Sequence, residues 1–102
     1  MYQTISMREL EYWMDSGRRM YLLDLRTEEE YGDNHLMGAV NIPFAQLEWR
    51  VDELPWQVPV VCYCQRGSKS ILACNYLYRR GLVVVNTGGG LAAYRGKYLV
   101  RS

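Results

Sequence analysis

Val60-Val61-Cys62-Tyr63-Cys64-Gln65-Arg66-Gly67-Ser68-Lys69-Ser70-Ile71 is where the chain declares its architecture. A β-rich apolar run from Val58 reaches a cysteine, and a polar turn with one glycine follows. A helix is predicted to begin near Ser68–Ser70. Ile71, Leu72, Cys74, Leu77 and Tyr78 continue at helical spacing to Arg79-Arg80-Gly81. Apolar residues at consecutive strand positions imply burial on both faces, the condition of a strand inside a parallel sheet. Pro59 is tolerated because it falls at the strand's first residues.

The same alternation extends in both directions. Toward the amino terminus, Ser6-Met7-Arg8-Glu9 fits a capping box opening a helix to about Ser16, with Gly17 as its stop. Tyr21-Leu22-Leu23-Asp24-Leu25 is a short buried strand, and Thr27-Glu28-Glu29-Glu30 is a second capping box. Ala39–Ile42 is a strand closed by Pro43, and Leu47, Val51 and Leu54 give Gln46–Leu54 helical spacing. Toward the carboxyl terminus, Leu82–Val85 is another buried strand. Gly88-Gly89-Gly90 and a short helical piece, Leu91–Tyr94, follow it. Strands alternating with helices predict an α/β fold: one domain over residues 1–102, with a mainly parallel central sheet flanked by helices. In such sheets ligands gather at the carboxyl ends of the strands.

Composition excludes several classes. At 102 residues, 49% hydrophobic and 23% charged, the chain has enough apolar content for a core and is not a disordered segment. Twelve basic against eleven acidic side chains leave a formal charge of +1, which argues against nucleic acid as a partner. No apolar run approaches the ~18–20 residues needed to span a bilayer, so no membrane association is expected. Met1–Ser6 shows no signal-peptide pattern. Three cysteines, Cys62, Cys64 and Cys74, are an odd and sparse set for a disulfide framework. The expectation is a reduced, cytoplasmic domain.

The chemistry is expected at Cys64. A strand that turns there into a helix aims the backbone N–H groups of residues 65–70 inward as an anion nest. A sulfur in such a nest is favoured as the thiolate, and Arg66 and Lys69 add positive charge to the same loop. Cys62, mid-strand, and Cys74, on an apolar helical face, read as core. Cys62-x-Cys64 lacks the redox spacing, and three cysteines with one histidine form a poor zinc set, so no metal site is expected. Phosphoryl transfer is disfavoured: six positions after Cys64 stands Ser70 rather than a phosphate-clamping arginine. A six-member turn, Cys64–Lys69, better suits a single sulfur atom than a phosphate.

Four motifs then fall in one order: Asp24-Leu25-Arg26; Glu30-Tyr31 through His35-Leu36-Met37-Gly38-Ala39-Val40-Asn41-Ile42-Pro43; Cys64-Gln65-Arg66-Gly67-Ser68-Lys69-Ser70; and Gly89-Gly90-Leu91-Ala92-Ala93-Tyr94. Together they resemble a rhodanese homology domain of the single-domain sulfurtransferase type over nearly the whole chain. Asn34, Lys69 and Tyr94 depart from the family pattern, and Lys69 in place of arginine loses the planar fork. The resemblance implies a thiosulfate sulfurtransferase. Cys64 is its nucleophile, and Gln65, Arg66, Gly67, Ser68 and Lys69 bind the substrate. A small anionic sulfur donor charges Cys64 as a persulfide, and a thiophilic acceptor discharges it, with no metal or organic cofactor implied. The alternative is a persulfide carrier fed by a protein sulfur donor, without significant thiosulfate turnover.

Other residues are weighed against plainer roles. His35 could be a base for Cys64 but reads as structural, and Asp24 with Arg26 as an ion pair or loop anchor bordering the pocket. Glu28–Glu30 and Arg79–Arg80 complement helix ends. Gly88–Gly90 lacks the residues of a phosphate loop. Trp49 and Trp56 could serve a partner near the loop, although core packing is favoured for both.

Overall fold

The computed structural model describes residues 1–102. Its elements in chain order are β1 (Gln3–Ser6), α1 (Met7–Asp15), β2 (Tyr21–Asp24), α2 (Glu28–Asp33), β3 (Asn34–Leu36), β4 (Val40–Asn41), α3 (Leu47–Arg50), β5 (Val60–Tyr63), α4 (Ser68–Arg79), β6 (Val84–Gly88) and β7 (Leu99–Arg101). Five strands form one sheet in the order β1-β6-β5-β2-β4, every pairing parallel, while β3 and β7 make a separate antiparallel pair. The α/β architecture with helices flanking a parallel sheet is as the sequence predicts.

Alternation along β5 divides the interior. Val60, Cys62 and, just past the strand, Cys64 join Leu23, Leu25, Leu47, Ala73, Cys74 and Leu77 in a core under α3 and α4. Val61 and Tyr63 face the other way, meeting Ile5, Leu10, Leu36 and Leu91 under α1. A central strand therefore has to be apolar at every position, which is why its signal was continuous. Both capping boxes form: Ser6 and Glu9 exchange bonds of 3.0 and 3.1 Å, and Thr27 and Glu30 do likewise.

Several boundaries differ from expectation. The expected helix over Gln46–Leu54 is broken into a 3-10 turn at Phe44–Gln46, α3, and another 3-10 turn at Val51–Glu53, and no side chain caps any of the three. The strand expected at Leu82–Val85 starts at Val84, because the Leu82 amide still donates to Leu77 O (3.2 Å) and closes α4. β1 escapes the sequence because it is an edge strand with one buried residue, Ile5. β3 and β7 are three residues each and find each other only across the folded chain. Trp49 and Trp56 are 70% and 63% exposed, contrary to the core packing favoured for them. Trp56 lies against the Gly81 turn, at the end of α4 remote from Cys64.

Candidate active site

Strand order creates the crevice. The chain leaves β2 toward β4 on one side, whereas β5 lies on the other side of β2 and leads through α4 to β6. Connections that depart in opposite directions leave a gap at the carboxyl ends of β2 and β5. Leu25 and Arg26 follow β2 into this gap, and Cys64 follows β5. The Leu25 amide donates to Tyr63 O (3.1 Å) and Leu25 O accepts from Phe44 N (3.0 Å), fixing three segments around one opening.

The Cys64 side chain points into it. Its Sγ accepts N–H bonds from Gly67 (3.0 Å) and Ser70 (3.3 Å), at the first turn of α4. Of the six amides expected to turn inward, these two reach the sulfur. Gly67 caps α4 at φ 96°, a conformation that L side chains rarely adopt. The Ser70 hydroxyl donates to Gly67 O (3.2 Å) and ties the turn to the helix. Cys64 is 3% exposed, at the floor of a cavity of ≈ 320 Å³. Gln65, Arg66, Ser68 and Lys69 line it, together with Arg26, Thr27, Glu30, Pro43, Phe44 and Ala45. Gly67 contributes its amide rather than wall surface. A larger cavity, ≈ 700 Å³, sits at the amino ends of the strands between Gln3, Pro59 and Val84 and holds no cysteine or histidine.

Behind the loop is a rigid support that the sequence did not disclose. Cys64 O accepts from Leu91 N (2.8 Å) and Gln65 O from Ala92 N (3.0 Å). The glycines before Leu91 permit this approach: a Cβ on Gly90 would overlap Gln65 O and come within 2.7 Å of Arg66 Cα. Gly89-Gly90 was the available signal, but it was legible only as part of a family motif.

A second brace runs through Arg26. Its guanidinium pairs with Asp24 (Nη2 to Oδ2 2.9 Å), both side chains being almost wholly buried, and its Nη1 donates to Gln65 Oε1 (3.0 Å). Tyr63 OH donates to Asp24 Oδ2 (2.6 Å) and accepts from Leu36 N (3.1 Å). Burial, reinforced by the Asp24 charge, pushes the Tyr63 phenol far above its ordinary range, so it stays a donor. Asp24 and Arg26 thus form the expected ion pair, but only Arg26 borders the cavity, while Asp24 lies buried behind it. Removing the donor, Tyr63→Phe, should cost about 1–2 kcal/mol by leaving one buried carboxylate bond unmade, measured by urea unfolding.

Two other expectations concern residues away from the sulfur. His35 Nδ1 lies 2.9 Å from Tyr31 O, its ring stacks on Tyr31 at 3.9 Å, and it does not line the cavity. Cys62 and Cys74 are fully buried between β5 and α4. A hydrogen bond with Cys74, and burial after it, raise the Cys62 thiol well above the usual range. Both suit core roles. No cluster of three or more His, Cys, Asp or Glu side chains is arranged to hold a metal ion, and no helix is long and apolar enough to cross a membrane.

Comparison with known proteins bears on this geometry. A family sequence model described as Rhodanese-like domain matches residues 6–97. YqhL, an uncharacterized protein of Bacillus subtilis (strain 168), is 36% identical over 81 residues, 78% of this chain and 64% of that protein, so the match spans under two thirds of the relative. A sulfurtransferase of Allochromatium vinosum is 35% identical over 74 residues, 72% of this chain and 69% of its own length. The crystal structure of a rhodanese-like domain protein from Staphylococcus aureus shares the fold, with a TM-score of 0.89 over 98% of each chain at 23% identity.

Proposed function

The chain belongs to the rhodanese-like domain family, and from that membership we propose that residues 1–102 act as one sulfurtransferase unit, using Cys64 to carry sulfane sulfur from thiosulfate or a like anion to a thiol. The observation that carries the reading is the pair of amide donors on the Cys64 sulfur at the floor of the ≈ 320 Å³ cavity. Backbone donors at a helix N-terminus suit an anion, and here the anion is the attacking sulfur.

In the first half-reaction the Cys64 thiolate attacks the outer sulfur of thiosulfate. A new S–S bond forms, the old one breaks, and sulfite leaves with the electron pair. The terminal sulfur of the persulfide then occupies the cavity. In the second, an acceptor thiolate attacks that terminal sulfur, and Cys64 leaves as the thiolate. Lys69 and Arg66 on the cavity wall draw the anionic donor in, while Arg26 is neutralised by Asp24. No step needs a proton acceptor at His35.

Exposure to thiosulfate followed by intact-mass measurement should show the chain gaining one sulfur atom, and a chain that never gains it sinks the proposal. Arg66→Ala should lower kcat/KM for thiosulfate by about tenfold, the loss of one charge contact, while sparing a neutral persulfide donor. Equal losses for both donors would remove the charge argument. The persulfide-carrier reading makes a different forecast: rapid loading from a cysteine desulfurase with negligible loading from thiosulfate.

A further inference from the structure

Phe44 and Ala45 line part of the cavity over Cys64. Phe44 and Ala45 also line a second cavity, of ≈ 290 Å³, whose other walls are Leu47, Glu48, Leu72 and Tyr76. One stripe of α4 joins the two. Lys69, Leu72 and Tyr76 stand at i, i+3 and i+7, so they share a helix face, with Lys69 in the sulfur cavity and the other two in its neighbour. The Lys69 ammonium lies 5.9 Å from the centroid of the Phe44 ring, on the shared wall. It makes no ion pair within the chain. Leu72 is 56% exposed and Ile71 beside it 47% exposed. The molecule thus places open apolar surface and an unpaired cation next to its reactive sulfur.

Thiosulfate and free small thiols have no group that would use this second cavity. An acceptor thiol that reaches the persulfide alongside Phe44 places the group bonded next to it against Leu72 and Tyr76 in the neighbouring cavity. Resting on the sulfurtransferase reading, we propose that this cavity is a subsite for the sulfur acceptor, and that the acceptor is a cysteine-bearing peptide with a large apolar side chain beside the cysteine and a carboxylate against Lys69. The peptide thiolate takes the terminal sulfur, becoming a peptidyl persulfide, and Cys64 departs with the electron pair of the broken S–S bond. Glu48 is the single acid on the second cavity's walls, and Glu30, the acid in the Cys64 cavity, makes no ion pair with Lys69.

The test compares N-acetyl-Cys-Leu with N-acetyl-Cys-Gly as acceptors for the preloaded persulfide. Both carry the thiol and the carboxylate, so their difference isolates the apolar side chain. The leucine peptide should discharge the persulfide with kcat/KM about tenfold higher, the usual scale for an aliphatic group in a hydrophobic pocket. Leu72→Ser, at an exposed site where folding is not at stake, should erase that preference and leave the glycine peptide's rate unchanged. Equal rates in the parent chain overturn the subsite. A second measurement is independent of transfer: the S-methyl analogue of N-acetyl-Cys-Leu, titrated into Cys64→Ser, should shift the NMR signals of Leu47, Leu72 and Tyr76, and the glycine analogue should not. If neither does so, the subsite is overturned even when loading is intact. Clear shifts without any loading would instead retain the subsite and overturn the sulfurtransferase reading.

Discussion

Cys64→Ser should never become heavier by a sulfur atom, whatever the donor, and sulfur transfer should fall by a factor of about 10³ or more. The substitution keeps a side chain of nearly the same shape, and the Gly67 and Ser70 amides can donate to an oxygen as they do to sulfur. What is lost is chemical. A serine hydroxyl is not ionised at neutral pH and does not displace sulfite from thiosulfate. The fold should survive, with unfolding shifted by about 1 kcal/mol at most, since the neighbouring hydrogen bonds remain. Urea unfolding and intact mass together make the test sharp. A folded serine variant that still gains sulfur would move the reaction to Cys62 or Cys74, both fully buried.

Gly90→Ala should be strongly damaging for the addition of one methyl group. The backbone there has φ 73°, and the new Cβ would meet Gln65 O, Gln65 C at 2.5 Å and Arg66 Cα at 2.7 Å. These are backbone atoms of the loop that holds Cys64, and they have no rotamer to yield. Left-handed backbone strain and overpacking together should cost about 3–5 kcal/mol, against a total stability of about 5–15 kcal/mol for an ordinary domain. Sulfur loading should fall with it, because relief of the clash moves Gln65 and Arg66. Gly89 supplies the control. Its φ is 88°, yet a Cβ there meets nothing within 4 Å, so Gly89→Ala carries only the conformational cost of about 1–2 kcal/mol. Equal denaturation midpoints for the two variants would show that the approach of the 90–92 segment to the loop is not what matters.

The elements that announced themselves did so through local or one-strand signals. The apolar run of β5, the Ser6 and Thr27 capping boxes and the spacing on α4 each depend on neighbours a few residues away, and each formed as expected. The interrupted helix around α3 misled because Leu47, Val51 and Leu54 do reach the core, but from three short turns rather than one rod. Trp49 and Trp56 misled for the opposite reason: size and apolarity suggested burial, yet neither found a place inside. At the site, the loop from Cys64 to Lys69 was legible because sequence neighbours build it. Its Arg26 brace was legible as an ion pair or loop anchor at the pocket's edge, whereas its anchors at Leu91 and Ala92 and the Phe44 wall come from other segments and were not.

Local order along the chain therefore singled out Cys64 as the candidate and built the strand-turn-helix that presents it, since a turn's geometry is set by the residues within it. Only the packed structure decided what holds the loop from behind, and that Phe44 and Ala45 line both the Cys64 cavity and the one that holds Leu72 and Tyr76. Those contacts join residues far apart in sequence, and no pattern within a window of the chain encodes which distant backbone will close on which.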